Sequence, residues 1–69
     1  MERLALLYPG EDGYIVAEVP SLPGCISQGK TREEALENIK DAIEGFIAAL
    51  EQDGLPVPAE DREAVAVEI

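Results

Sequence analysis

The residues of this chain that could carry out chemistry are carboxylates and one thiol, because the sequence contains no histidine. Histidine is the usual general acid–base group, since its pKa lies near neutrality. A metal-dependent phosphoryl-transfer site would instead need several acidic side chains converging from strands and helix. The first two strand-like stretches carry only Glu2 and Glu18, each near an end. The sequence therefore predicts no catalytic residues and no enzyme.

Cys25 is the single cysteine of the chain and its main candidate for a nucleophile. A reactive cysteine needs a neighbouring group that lowers its pKa, and the lysines are distant in sequence. We interpret Cys25 as a small apolar residue that packs beneath a helix. One thiol without histidine can form neither an intramolecular disulfide nor a four-ligand zinc site. The glycines form no phosphate-binding motif, so we expect no metal and no cofactor.

Three mostly apolar stretches in the first half of the chain predict strands, at residues 2–8, 14–19 and 25–27. Turn-forming residues at positions 9–13 separate the first two stretches and predict a β-hairpin. Residues 20–24 include two prolines, which cannot donate to a ladder and therefore end the second strand.

A long amphipathic helix is predicted after the third strand. Thr31 and Glu34 form a capping box, in which the Thr31 hydroxyl accepts from the Glu34 N–H and the Glu34 carboxylate reaches back to the Thr31 N–H. Gly54, with prolines shortly after it, is a natural stop. Between these signals the apolar residues recur every three or four positions and so share one stripe. They are Ala35, Leu36, Ile39, Ala42, Ile43, Phe46, Ile47 and Leu50.

Residues 64–69 predict a fourth strand, with Val65, Val67 and Ile69 on one face. The fold class is therefore α+β, in the order β-β-β-α-β, and residues 1–69 form one domain. The long helical crossover lets the fourth strand run parallel to the third. One helix packs on one face of the sheet, yet the first two strands are apolar on both faces. A second subunit would cover the other face, so we expect a homodimer or a higher homo-oligomer.

The charge of the chain is strongly unbalanced, with fifteen acidic against five basic residues and a formal net charge of −10. Such a charge repels nucleic-acid phosphates and favours cationic partners, although it also simply aids solubility. The first residues contain no signal-peptide pattern, and no apolar run approaches membrane-spanning length. We expect a cytoplasmic protein that binds neither nucleic acid nor a membrane directly.

A specific motif extends from the second predicted strand into the helix. It reads Gly13-Tyr14, then Pro20-Ser21-Leu22-Pro23-Gly24-Cys25, then Gly29-Lys30-Thr31-Arg32-Glu33-Glu34-Ala35. With the following helix, the pattern covers nearly the whole chain and resembles the HicB family of antitoxins. The resemblance implies a partial ribonuclease-H-like sheet, β-β-β-α-β, without the catalytic carboxylates of that fold.

The resemblance also implies a function and a partner. HicB antitoxins typically neutralise HicA, a small basic toxin that cleaves mRNA, by covering its active site. Many also carry a C-terminal segment that binds their operator, and we expect no such segment here because the sequence stops after the last predicted strand. The alternatives are a stand-alone regulatory or dimerisation domain without a toxin, and a degenerate ribonuclease-H-like hydrolase that uses Glu2, Glu18 or helix carboxylates.

Two sets of residues follow from these patterns. The hairpin turn and the proline-containing loop are expected to contact the partner, through Glu11, Asp12, Tyr14, Leu22 and Pro23. Other motif residues are interpreted as structural turn and cap positions: Gly13, Pro20, Gly24, Gly29, Thr31 and Glu34.

Overall fold

A computed structural model of the chain describes residues 2–69. Its elements are three strands, a short 3-10 turn and one long helix. They are β1 (Leu6–Pro9), the turn Glu11–Gly13, β2 (Ile15–Glu18), β3 (Ile26–Gly29) and α1 (Arg32–Gln52). The strands form one antiparallel sheet in the order β1-β2-β3, which leaves β1 and β3 as its edges. The α+β class, the hairpin, the third strand and the helix are confirmed.

The hairpin turn has a backbone conformation that its residue types favour. The Gly10 N–H donates to the Tyr14 carbonyl at 2.7 Å, and the Tyr14 N–H donates to the Glu11 carbonyl at 3.0 Å. Asp12 and Gly13 both have positive φ angles, 55° and 80°. Glycine adopts that region without strain, and aspartate tolerates it better than most residues. The turn therefore sets the register in which Pro9 lies opposite Ile15.

The loop between β2 and β3 folds back on itself in two tight turns. The N–H of Leu22 donates to the Val19 carbonyl at 3.0 Å, and the N–H of Cys25 donates to the Leu22 carbonyl at 2.9 Å. Gly24 has a φ of 91°, which a residue with a Cβ rarely adopts. These turns direct the Leu22 side chain inward, where it is completely buried.

Both ends of α1 are capped. The Thr31 hydroxyl accepts from the Glu34 N–H at 3.0 Å, as predicted. The reach-back was predicted wrongly, because the Glu34 carboxylate accepts from the Lys30 N–H at 2.7 Å and not from that of Thr31. At the other end, Leu55 donates to Leu50 and Gly54 to Glu51, with a φ of 67° at Gly54. This Schellman pattern ends the helix at the predicted glycine.

The core lies between the inner face of the sheet and the first half of α1. The helix packs mainly over β3 and less over β2. Gly29 permits this close packing, because a Cβ there would lie 2.4 Å from the Ala35 backbone nitrogen. The buried apolar side chains are Ala17, Val19, Leu22, Cys25, Ala35 and Ile39.

The predicted fourth strand is wrong for the single chain. Residues 64–69 have no regular secondary structure, and all of their side chains are exposed. Val67 and Ile69 are 76% and 116% exposed relative to their reference values. Alternating valines favour an extended chain, but a strand also needs a neighbouring strand for its hydrogen bonds, and this segment has none. The ribonuclease-H-like arrangement, which includes that strand, stays a prediction.

Candidate interaction surface

The sheet has one covered face and one uncovered face. Successive side chains of a strand point to opposite faces, so the neighbours of buried Ala17 point away from the helix. Tyr8 pairs with Val16, and Leu6 pairs with Glu18, which in turn pairs with Ile26. We call Leu6, Tyr8, Val16, Glu18 and Ile26 the outer sheet face. Its large apolar members are Leu6, 43% exposed, Tyr8, 41%, and Ile26, 53%.

A short hydrogen bond joins two side chains of the outer sheet face. The Tyr8 hydroxyl donates to Oε1 of Glu18 at 2.7 Å, across the β1–β2 pair. That bond, together with partial desolvation and the negative charge of Glu18, raises the pKa of Tyr8 above its ordinary value. The bond holds an aromatic ring and a carboxylate in a fixed arrangement beside the exposed aliphatic residues. Such a combination suits contact with a partner that is apolar in part and positively charged in part.

The structure does not bring the predicted partner contacts into one patch. Glu11 and Asp12 are exposed in the hairpin turn, before β2 begins. Pro23 is exposed in the loop after β2 ends. The two ends of β2 are three residue steps apart, which corresponds to about 10 Å of extended strand. Leu22 belongs to the core, with 0% exposure, so it is not part of any accessible surface.

Tyr14 is half-buried at the hairpin end and lines a shallow depression of about 420 Å³. Leu7, Ile15 and the Arg32 side chain line the same depression. The walls are therefore mostly apolar, with one cationic group from the start of α1. Tyr14 is accordingly the member of the predicted contact set that adjoins a concave surface.

The predicted structural residues have the backbone conformations and caps that their types suggest. Gly13 and Gly24 have positive φ angles, and Gly29 lies against the backbone of α1. Pro20 is half-buried at the end of β2, where its missing N–H removes a ladder donor. Thr31 and Glu34 cap the helix. These residues therefore determine the conformations of the turns and the start of α1.

Sequence reasoning missed a polar cluster that fastens residue 60 to the N-terminal segment. Oε1 of Glu60 accepts from the Leu4 N–H at 2.7 Å and from the Ser21 hydroxyl at 2.9 Å. Its other oxygen accepts from the Arg62 N–H at 3.1 Å, and the Arg3 guanidinium donates to the Ser21 hydroxyl at 3.2 Å. The bond from Leu4, chiefly, lowers the pKa of Glu60 against an opposing desolvation effect. No local motif announces this cluster, because its members are far apart in sequence.

The carboxylates and the Cys25 thiol are the side chains on which metal binding or nucleophilic chemistry would depend. Within residues 2–69, no group of three or more cysteine and carboxylate side chains is placed to hold a metal ion. Cys25 is a free, buried thiol, and burial raises its pKa above the ordinary value. A thiol in that state is a poor nucleophile at neutral pH. The same residues include no helix with the length and apolar character needed to span a membrane.

The fold and the surface define a small acidic α+β domain with an uncovered apolar sheet face, a combination that is typical of protein-binding modules. A family model described as the HicB-like antitoxin of bacterial toxin-antitoxin systems matches residues 5–67. The chain belongs to this HicB-like antitoxin family, which implies a protein partner.

Relatives of nearly the same length support the family assignment. A UPF0150 protein of Thermoplasma acidophilum is 43% identical over 67 residues, which are 97% of each chain. A UPF0150 protein of Helicobacter pylori is 47% identical over 62 residues, covering 90% of this chain and 85% of the relative. A third, from Archaeoglobus fulgidus, is 41% identical over all 69 residues and 91% of its own length.

Proposed function

We propose that this protein is an antitoxin-type binding module that masks a small, basic, mRNA-cleaving toxin of the HicA type. The observation that carries the proposal is the outer sheet face, which presents apolar side chains and a fixed Tyr8–Glu18 pair on a strongly acidic molecule. The family assignment supports a protein partner. The proposed partner contacts are the outer sheet face and the adjoining hairpin turn at Glu11 and Asp12.

The charge of the chain suits a cationic partner. With a net charge of −10, the protein attracts a basic toxin over a distance and speeds their encounter. The same charge repels RNA and DNA, so nucleic acid does not compete for the antitoxin and is not bound directly. Screening by salt weakens this attraction, and we therefore expect the association rate to fall as ionic strength rises.

The geometry of the outer sheet face suits a central contact. Tyrosine and large aliphatic residues contribute most to interfaces when they lie at the centre and polar groups surround them. Tyr8 and Ile26 supply the apolar area, while Glu18 presents a carboxylate that is already held by Tyr8. A basic side chain of the toxin would complete the coordination of that carboxylate. In this proposal the protein is a cytoplasmic homodimer, and it inhibits by covering the toxin's active site.

The test begins with the tagged full-length chain in native cell lysate at low and at high salt. The expected result is capture of a small basic protein that is lost at high salt, that cleaves mRNA when purified, and that loses this activity when the chain is added back in equal amount. A chain that captures no RNA-cleaving protein would overturn the proposal and favour a stand-alone regulatory or dimerisation domain.

A matched pair of variants then tests the surface. Ile26 and Leu55 are 53% and 52% exposed, so Ile26→Asp and Leu55→Asp remove similar apolar area and add the same charge. Ile26→Asp should weaken toxin binding by roughly 30-fold or more, the effect of losing a central interface residue. Leu55→Asp should leave binding unchanged. Equal affinities of the two variants, measured by calorimetry, would exclude the outer sheet face as the contact.

A further inference from the structure

An apolar groove runs along α1 on the side next to β1. Because the helix packs mainly over β3 and β2, its opposite flank is left without a covering strand. The groove has a volume of about 560 Å³, and Ala5 lies on its far side, immediately before β1. Its apolar helix residues are Leu36, Ile39, Ile43, Ile47 and Ala48.

The charges on the rim of this groove differ from those of the rest of the molecule. Arg3 and Lys40 both line it, so two of the five basic residues of the chain are found here. Glu44 and Glu51 line it as well. A chain segment that is apolar on one face and carries some acidic side chains therefore finds both apolar walls and two cationic groups.

Residues 61–69 have this composition. Val65, Val67 and Ile69 alternate with smaller or charged residues, and Glu63 shares their face in an extended chain. Every side chain from position 61 to position 69 is exposed, and none of them lines the groove. The family match extends to residue 67, so most of this segment lies inside the HicB-like domain.

We propose that residues 63–69 of one copy bind in the groove of a second copy as a strand beside β1, and that the exchange is reciprocal in a two-fold dimer. The lengths agree, since seven extended residues span about 20 Å and the helix from Leu36 to Glu51 spans about 22 Å. β1 is an edge of the sheet, so its outer backbone groups are available to a new strand. Val65, Val67 and Ile69 cover the groove, and Glu63 meets its basic rim.

The path of residues 61–69 in the single subunit supports a second copy as the occupant, because the segment is exposed and does not enter the groove of its own chain. Glu60 is fastened to Leu4 and Ser21, which fixes the point where the segment leaves its own subunit. Beyond that point the segment extends into solvent while the groove of its own chain stays uncovered. A reciprocal exchange covers both grooves and both segments at once. This inference concerns self-assembly and does not depend on a toxin.

The first test measures the mass of the full-length protein by sedimentation velocity over a range of concentrations. The wild-type protein should be a dimer. Val67→Asp should raise the dimer dissociation constant by roughly 30-fold or more, because it places a charge in the apolar groove. Val67 is exposed in the single subunit, so the variant should keep its helical circular dichroism. Leu55→Asp, the control at another exposed position, should remain a dimer.

The second test identifies which chain supplies the segment. Two differently tagged full-length copies are expressed together, one with Val67→Cys and the other with Ile43→Cys, and treated with a short bis-maleimide. Cross-linking between the two tags is expected, whereas a Leu55→Cys copy in place of the Val67→Cys copy should give none. A wild-type monomer, or a dimer unaffected by Val67→Asp, would overturn the exchange. A third variant carries Val67→Cys and Ile43→Cys in one chain. The exchange would also be overturned if the cross-link formed only within this doubly substituted chain and not between the two tags.

Discussion

Two regions of this molecule have the same kind of apolar pattern but opposite outcomes. In the closed region, which comprises β2, the loop after it and the first half of α1, Val19, Leu22, Ala35 and Ile39 are buried. In the open region, which comprises the second half of α1 and residues 61–69, no residue is fully buried. Periodicity therefore predicts which side chains share a face. It does not predict whether the same chain supplies the cover.

The largest expected difference between the regions lies in truncation of an apolar side chain. Leu22→Ala leaves a cavity in the closed region and should lower the free energy of unfolding by about 2–5 kcal/mol. Leu55→Ala, at a residue 52% exposed, should change it by less than about 0.5 kcal/mol. Urea unfolding at one fixed protein concentration measures both. If Leu22→Ala were as stable as Leu55→Ala, the Leu22 side chain would not be packed in the core.

Two glycine substitutions, one where β3 packs against the closed region and one in the open region, should change the stability in opposite directions. At Gly29 a Cβ would meet the backbone of Glu34 and Ala35, so Gly29→Ala should destabilise the protein by about 1–3 kcal/mol. Gly45 lies within α1 with nothing within 4 Å of such a Cβ, so Gly45→Ala should stabilise it by about 0.5–1 kcal/mol. Thermal unfolding of each variant measures the change in its stability relative to the wild-type protein. Two changes of the same sign would contradict the close approach of β3 and α1.

The smallest expected effect concerns Glu60, which joins the two regions. Its pKa in the folded protein is below the ordinary value of 4.5, so its bonds contribute stability above that pH and lose it as the pH falls through the lowered pKa. The amide proton of Leu4, which donates to Glu60, should report this titration by NMR. In Glu60→Gln the titration should vanish. A Leu4 amide shift that is constant through the acid range in the wild-type protein would count against the bond.

Local sequence signals predicted most of the fold. The hairpin turn, the Thr31 cap and the Gly54 stop each depend on backbone rules that act over a few residues, and the structure has all three. The motif also identified the family, because its turn and cap residues lie at fixed spacings. Among these local signals, the donor to the Glu34 carboxylate differed: it is the Lys30 N–H and not that of Thr31, a choice that depends on the local path of the chain before the helix.

The parts of the candidate site that the sequence could not predict depend on distant contacts. Leu22 lies in a loop that reads as exposed, but two tight turns direct it into the core. Glu60 is one of fifteen acidic residues, and its partners Leu4 and Ser21 are 56 and 39 positions away. The fourth strand failed for the same reason, since an extended segment becomes a strand only beside a neighbour that local sequence does not identify.

The buried thiol of Cys25 can report on transient opening of the protein core. Because the side chain is 3% exposed and its pKa is raised, a thiol reagent can label it at an appreciable rate only when the core transiently opens. No second thiol competes, since Cys25 is the single cysteine of the chain. The labelling rate of the unmodified protein therefore measures the opening equilibrium of the closed region, with and without a bound partner.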